Sequence, residues 1–89
     1  VRSASIETLL GGDTLLEWVE VGADSPIADR TLGESDLRQE TGASVVAIER
    51  GEEVVPSPGG ETTIRAGDTL VIVGTRENCA AFEARVTGE

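Results

Sequence analysis

The run Thr69-Leu70-Val71-Ile72-Val73-Gly74 constrains this chain more than any other stretch. Its unbroken aliphatic and β-branched side chains read as the strongest strand in the sequence. A tight turn at Arg65-Ala66-Gly67-Asp68 leads into it, and Gly74-Thr75 closes it. A second run, Ser44 to Arg50, is nearly continuous in apolar residues and is expected to be buried on both faces. With one Trp and one Phe in the chain, the core around these strands must be built from Val, Leu, Ile and Ala. Eighty-nine residues fit one domain, and a chain this short buries only roughly two-thirds of its unfolded surface. A small aliphatic core is often completed by a partner subunit, so dimerisation is expected.

Local punctuation places the remaining elements. Leu15 to Val21 reads as a first strand, with Leu15, Val19 and Val21 on one face and Leu16 and Trp18 on the other. Gly22 to Arg30 is a loop marked by Ser25-Pro26. Thr31-Leu32-Gly33-Glu34 has the spacing of a capping box, and a short helix is predicted from there to about Thr41, stopping at Gly42. Gly51 turns the chain into a short third strand, Glu53-Val54-Val55, which Pro56, Pro58 and Gly59-Gly60 terminate. Thr75 caps a final helix whose inner face is Cys79, Phe82 and Val86. The predicted fold is α+β, in the order β-α-β-β-β-α. Residues 1–12, with Ile6, Leu9 and Leu10 at helical spacing before Gly11-Gly12, read as a leader from a preceding segment, and 13–89 as the domain. A start at Val1 without Met reads as a fragment or a processed chain.

Seventeen acids stand against seven bases for a formal charge of −10, and every base is Arg. Such a surface repels phosphate backbones and anionic headgroups, which argues against nucleic acid and against docking on a membrane face. The acidity has two readings, a surface that keeps the domain soluble or a halophile's adaptation to brine; a high-GC genome also favours Arg over Lys. The lone Cys79 forms no intramolecular disulfide and fits a cytosolic compartment. No apolar run reaches the ~20 residues of a membrane span. Lacking His and Lys, and with its only Cys on an apolar helix face, the chain has no Ser-His, Cys-His or Schiff-base arrangement, and no catalytic residue is assigned. Zinc finds no Cys/His set and calcium no loop of the required spacing. Asp24, Asp29 and Glu61 are therefore read as solvated surface, and no metal site is assigned.

From Leu32 onward an ordered set of motifs resembles the TrkA-C domain, also called RCK-C. The set comprises Thr31-Leu32, Leu37-Arg38, the stretch Thr41-Gly42-Ala43-Ser44-Val45-Val46-Ala47-Ile48, and Arg50. It continues through Pro56-Ser57-Pro58-Gly59, Ala66-Gly67-Asp68-Thr69-Leu70 and Val71-Ile72-Val73-Gly74-Thr75, so the likeness covers about Asp13 to Val86. Ser35 departs from it, standing where the family usually carries Leu, which implies a looser first helix. The resemblance implies a dimeric regulatory module of a potassium channel, potassium transporter or cation:proton antiporter, acting from the cytoplasmic side of a membrane-embedded partner. It also implies a small regulatory ligand, cyclic di-AMP or another nucleotide, held in a cleft at the two-fold axis, with no other cofactor. The family's nucleotide-binding domain is not part of this sequence, which contains no Gly-x-Gly-x-x-Gly.

The resemblance points to seven candidate ligand-binding residues, each with a plainer alternative. Ile27, Ala28 and Arg30 precede the first helix and, with Leu32, would make one wall: apolar contact to a base from Ile27 and Leu32, and a charge-assisted contact to phosphate from Arg30. Ile27 otherwise plugs the core, and Arg30 otherwise pairs with a nearby acid. Ser57 and Pro58 would make the opposite wall, or else stiffen the loop that protects an edge strand. Arg50 reaches the cleft or pairs with Glu52 or Glu53. The alternative for the whole chain is a purely structural assembly domain that takes no small ligand.

Overall fold

The run Thr69–Gly74 becomes an inner strand of the sheet. The computed structural model describes residues 14–88; the leader assigned to residues 1–12 lies outside them. Strands β1 (Leu15–Glu20), β2 (Ser44–Arg50), β3 (Glu53–Pro56) and β4 (Thr69–Gly74) form one antiparallel sheet in the order β1-β4-β2-β3. β4 places Leu70 opposite both Val19 and Ile48, and Ile72 opposite Val45. On that inner face Val19, Ile48, Leu70 and Ile72 pack with Phe82 and Val86 of the last helix, together with Ile27, Leu37 and Ile64. Phe82 is fully buried, which stabilises the fold by about 2–3 kcal/mol relative to leaving the ring in water.

The last helix, α3 (Arg76–Thr87), begins as expected at Thr75. The Thr75 hydroxyl accepts from the Asn78 N–H, and the Asn78 amide oxygen accepts from the Thr75 N–H, each at 3.1 Å. Asn78 also donates to the Thr41 carbonyl at 2.9 Å, which ties the helix start to the chain entering β2. Cys79, Phe82 and Val86 form the buried face, as their spacing indicates.

Two expectations need correction. The predicted helix from Leu32 to Thr41 is two short ones, α1 (Leu32–Ser35) and α2 (Leu37–Thr41), so the observed order is β-α-α-β-β-β-α. Asp36 breaks it by adopting a left-handed backbone, φ 52°, with its N–H bonded back to Gly33. Ser35, read as a loosening substitution, is buried, and its hydroxyl donates to the Leu32 carbonyl at 2.8 Å. A Leu there could not close the first helix with that bond. The second correction concerns β2, which is not buried on both faces. Only Ile48 is buried, and Val46 is 39 % exposed at a register shift between Val45 and Ala47. The helices cover one face of the sheet, while Leu16, Trp18, Ala47 and Val73 on the other are half-buried or exposed. Trp18 donates its indole N–H to Glu49 across this outer face at 3.3 Å.

Candidate functional site

Residues 25–35 form a rigid platform. The Ser25 hydroxyl donates to the Val86 carbonyl, which fastens the turn to the end of α3. Asp29 takes a left-handed backbone, φ 68°, and donates its N–H to Ile64 at 2.7 Å; Ile64 donates back to the Arg30 carbonyl at 2.8 Å. A non-glycine residue in that region costs of order 1 kcal/mol, so the surrounding bonds must over-determine it. Thr31 then caps α1 as predicted, accepting from Glu34 N–H at 3.1 Å while Glu34 Oε1 accepts from Thr31 N–H at 3.0 Å. Those bonds, ahead of the nearby Arg30 charge, hold the Glu34 carboxyl below its ordinary pKa.

This platform and the C-terminal end of α3 border an open concavity of about 410 Å³, lined by Pro26, Ile27, Arg30, Glu34, Ser35, Arg85 and Gly88. Arg85 is paired with Glu40 of α2. The Arg30 guanidinium makes no hydrogen bond or ion pair within the described residues. Ile27 is only 3 % exposed and belongs to the core, so of its two readings the core plug describes the side chain.

Ser57 and Pro58 stand apart from this concavity. Gly33 N–H donates to the Gly60 carbonyl at 2.8 Å, and Leu32 N–H to that of Thr62 at 2.9 Å, so the start of α1 is laced to the loop after β3. A side chain at Gly33 would bring its Cβ to 3.1 Å from the Gly60 oxygen, so the Gly60 backbone would have to give by a few tenths of an ångström. Ser57, exposed at φ 47°, donates its N–H to Val46 at 3.0 Å and extends the hairpin one residue past Pro56. Leu32 and Pro58, one on each of the two segments of this laced ledge, are both half-buried, and Leu32 packs against the core. No residue of the 57–60 loop lines the Arg30 concavity. Ala28, half-buried, packs against the core between the two regions.

Arg50 has a different partner from the expected Glu52 or Glu53. Its Nε and Nη2 donate to the two carboxylate oxygens of Asp68 at 2.9 and 2.8 Å, and Nη2 also reaches the Thr63 carbonyl at 3.0 Å. Asp68 is buried at the turn before β4 and accepts the Arg65 N–H at 2.9 Å. The Arg50 hydrogen bonds hold the Asp68 carboxyl below its ordinary pKa, against the opposing effect of burial, and Asp68 raises that of Arg50. This guanidinium staples β2 to the β4 turn.

Among the described residues no group of three or more His, Cys, Asp or Glu side chains is gathered as a metal would require. The Cys79 thiol is pushed above its ordinary pKa, by burial first and then by Glu17 and Glu83, which keeps it a thiol.

The TrkA-C domain family model matches residues 16–87, nearly the whole described fold. The chain belongs to the TrkA-C domain family. Two curated relatives from Bacillus subtilis (strain 168) agree. The Ktr system potassium uptake protein C is 40 % identical over 68 residues, covering 76 % of this chain and 31 % of that protein. The K(+)/H(+) antiporter subunit KhtT is 37 % identical over 67 residues, covering 74 % of this chain and 41 % of that protein. The chain thus spans less than half the length of either relative. Among solved structures, the RCK_C domain dimer of S. agalactiae BusR in complex with c-di-AMP matches with a TM-score of 0.77 at 28 % identity, covering 83 % of this chain and 97 % of that one.

Within this TrkA-C domain the seven sequence candidates divide into three places. Ile27 and Arg30 line the concavity with Ala28 in the same turn, Leu32, Ser57 and Pro58 lie on the two laced segments, and Arg50 is held by Asp68. The sequence candidates did not include two lining residues of the concavity, Glu34 and Arg85. The only signal for Arg85 was a last-turn position on α3, off the Cys79-Phe82-Val86 face, and no helix periodicity says which loop lies beside it. No helix among the described residues is long and apolar enough to cross a membrane.

Proposed function

We propose that this TrkA-C domain is a non-catalytic regulatory module that pairs as a homodimer, binds a cyclic dinucleotide such as cyclic di-AMP, and biases a membrane-embedded potassium transporter or cation:proton antiporter from the cytoplasmic side. One observation carries this reading: the match to a dimeric RCK_C domain in complex with c-di-AMP, which takes in 97 % of that chain. The relatives named as potassium uptake and K(+)/H(+) antiporter subunits support the choice of transporter class. The sequence has no His and no Lys, so Ser-His, Cys-His and Schiff-base arrangements are not open to it.

The ledge of Leu32, Ser57 and Pro58 is our proposed contact for the bases, because it offers two half-buried apolar side chains, an exposed hydroxyl, and a backbone pinned by the Gly33–Gly60 approach. Two copies facing one another would present two such ledges to a two-fold symmetric ligand. A ligand that binds one subunit arrangement better than another shifts the population toward it, and that difference is what a transporter subunit reads.

Calorimetric titration with cyclic di-AMP, at low and molar salt and alongside sedimentation at micromolar concentration, tests the reading. The expected result is one dinucleotide per dimer, with affinity rising as salt screens the −10 chain. Pro58→Ala should weaken binding severalfold with folding intact. A clean monomer at every salt concentration, or a dimer that takes up no dinucleotide, would leave only the structural assembly role.

A further inference from the structure

We infer that the concavity between residues 26–35 and the end of α3 is a second ligand site, complete within one protomer, for a compact organic anion carrying a phosphate or carboxylate group. Two arginines converge there in a chain where acids outnumber bases seventeen to seven. In such a chain an Arg side chain is surrounded by potential partners, yet the Arg30 guanidinium has no ion pair within the described residues. Its lining neighbour Glu34 has turned Oε1 to the Thr31 N–H instead. The unused planar donors of Arg30 suit bidentate recognition of a phosphate or carboxylate.

The walls are held in place independently of any ligand. The Ser25–Val86 bond joins them, and the paired bonds between 29–30 and Ile64 hold the Arg30 backbone. Arg85 is steadied by Glu40, which is not itself a lining residue. Pro26 and the edge of Ile27 supply an apolar floor for a ligand body, and about 410 Å³ lies within the range of small-molecule sites, roughly 300–1,000 Å³. Glu34 sits where it would accept from a hydroxyl or amine on the ligand and repel further negative charge, so a single phosphate or carboxylate group fits better than a polyphosphate.

The site requires neither dimerisation nor the Leu32–Pro58 ledge, so its fate is separable from that of the dinucleotide reading. The test is ¹⁵N NMR of the arginine Nε–Hε signals in the full chain at fixed ionic strength. Three probes are titrated: inorganic phosphate, a nucleoside monophosphate, and a monocarboxylate with an apolar chain. Arg30 and Arg85 should shift together and saturate with at least one probe, while Arg76, in the first turn of α3, stays still. The phosphate and carboxylate arms then identify the head group. Arg30→Gln should raise the Kd at least about tenfold, the loss of one charge-assisted contact, and Arg30→Lys should recover only part of it. Arg85→Gln should weaken binding as well, and its circular dichroism should remain that of the parent because an exposed pair contributes little. Linear, unsaturating shifts shared by all arginines would mean screening alone and would overturn the inference. Loss of the response on prior saturation with cyclic di-AMP would also overturn it, because the concavity would then be part of the dinucleotide cleft.

Discussion

Replacing Asp68 with Asn removes the charge that holds Arg50 while keeping the side chain's shape. In the parent, the buried carboxylate accepts two bonds from Arg50 and one from the Arg65 N–H, all between 2.8 and 2.9 Å. Breaking a fully buried ion pair typically costs about 3–5 kcal/mol, because the surviving charge is stranded. Here the Arg50 side chain is 37 % exposed, so water takes up part of that charge, and the expected loss falls to about 2–3 kcal/mol. In a small domain losing about 1 kcal/mol of stability per molar urea, the unfolding midpoint should drop by roughly 2–3 M. Far-UV circular dichroism in urea measures it. The pH dependence supplies an independent check. Because the folded Asp68 pKa is depressed, its stabilisation is complete above the unfolded value of about 3.9 and is lost as pH falls through the folded one. The parent and Asp68→Asn curves should therefore be widely separated at neutral pH and converge in acid. A midpoint shift below about 0.5 M, or a gap that does not change between neutral and strongly acid pH, would refute the argument.

Two further outcomes are expected. Gly42→Ala should destabilise by about 1–2 kcal/mol in thermal melts, because Gly42 sits at φ 83° and a Cβ there would lie 2.6 Å from the Asn78 amide nitrogen that joins α3 to Thr41. If the acidic surface is an adaptation to brine, melting temperature should climb steeply from dilute buffer to molar salt as self-repulsion is screened; unchanged melts would reject that reading of the −10 charge.

Much of the fold was legible because its signals are local. β4 was readable from its own six residues, since a short, mostly β-branched aliphatic run fenced by a Gly-Asp turn and a Gly favours a strand. Both capping boxes lie within four consecutive residues, and the buried face of α3 follows from helical spacing alone. The split at Asp36 was not legible, because a left-handed Asp leaves no pattern that differs from an ordinary helical one, and the buried Ser35 hydroxyl that favours it needs the packed core around it. The exposure of Val46 likewise depends on a register shift set by β4 and on a sheet face that the helices leave uncovered.

For the site the division falls at the side chain's reach. The family resemblance carried by the sequence motifs selected the turn before α1 and the Pro-Ser-Pro loop, and the residues there limited the chemistry to contacts made by Arg, hydroxyl and apolar groups. Only the tertiary structure decided which arginines are available. Arg50 and Arg30 look alike in sequence, each at the end of a segment and each surrounded by acids in the chain. Folding brings Asp68, 18 residues away, against one of them and brings Arg85 to the same concavity as the other. A guanidinium on a flexible stem bonds whatever acceptor the packed backbone delivers, and that acceptor is set by strand register and helix docking, not by proximity along the chain.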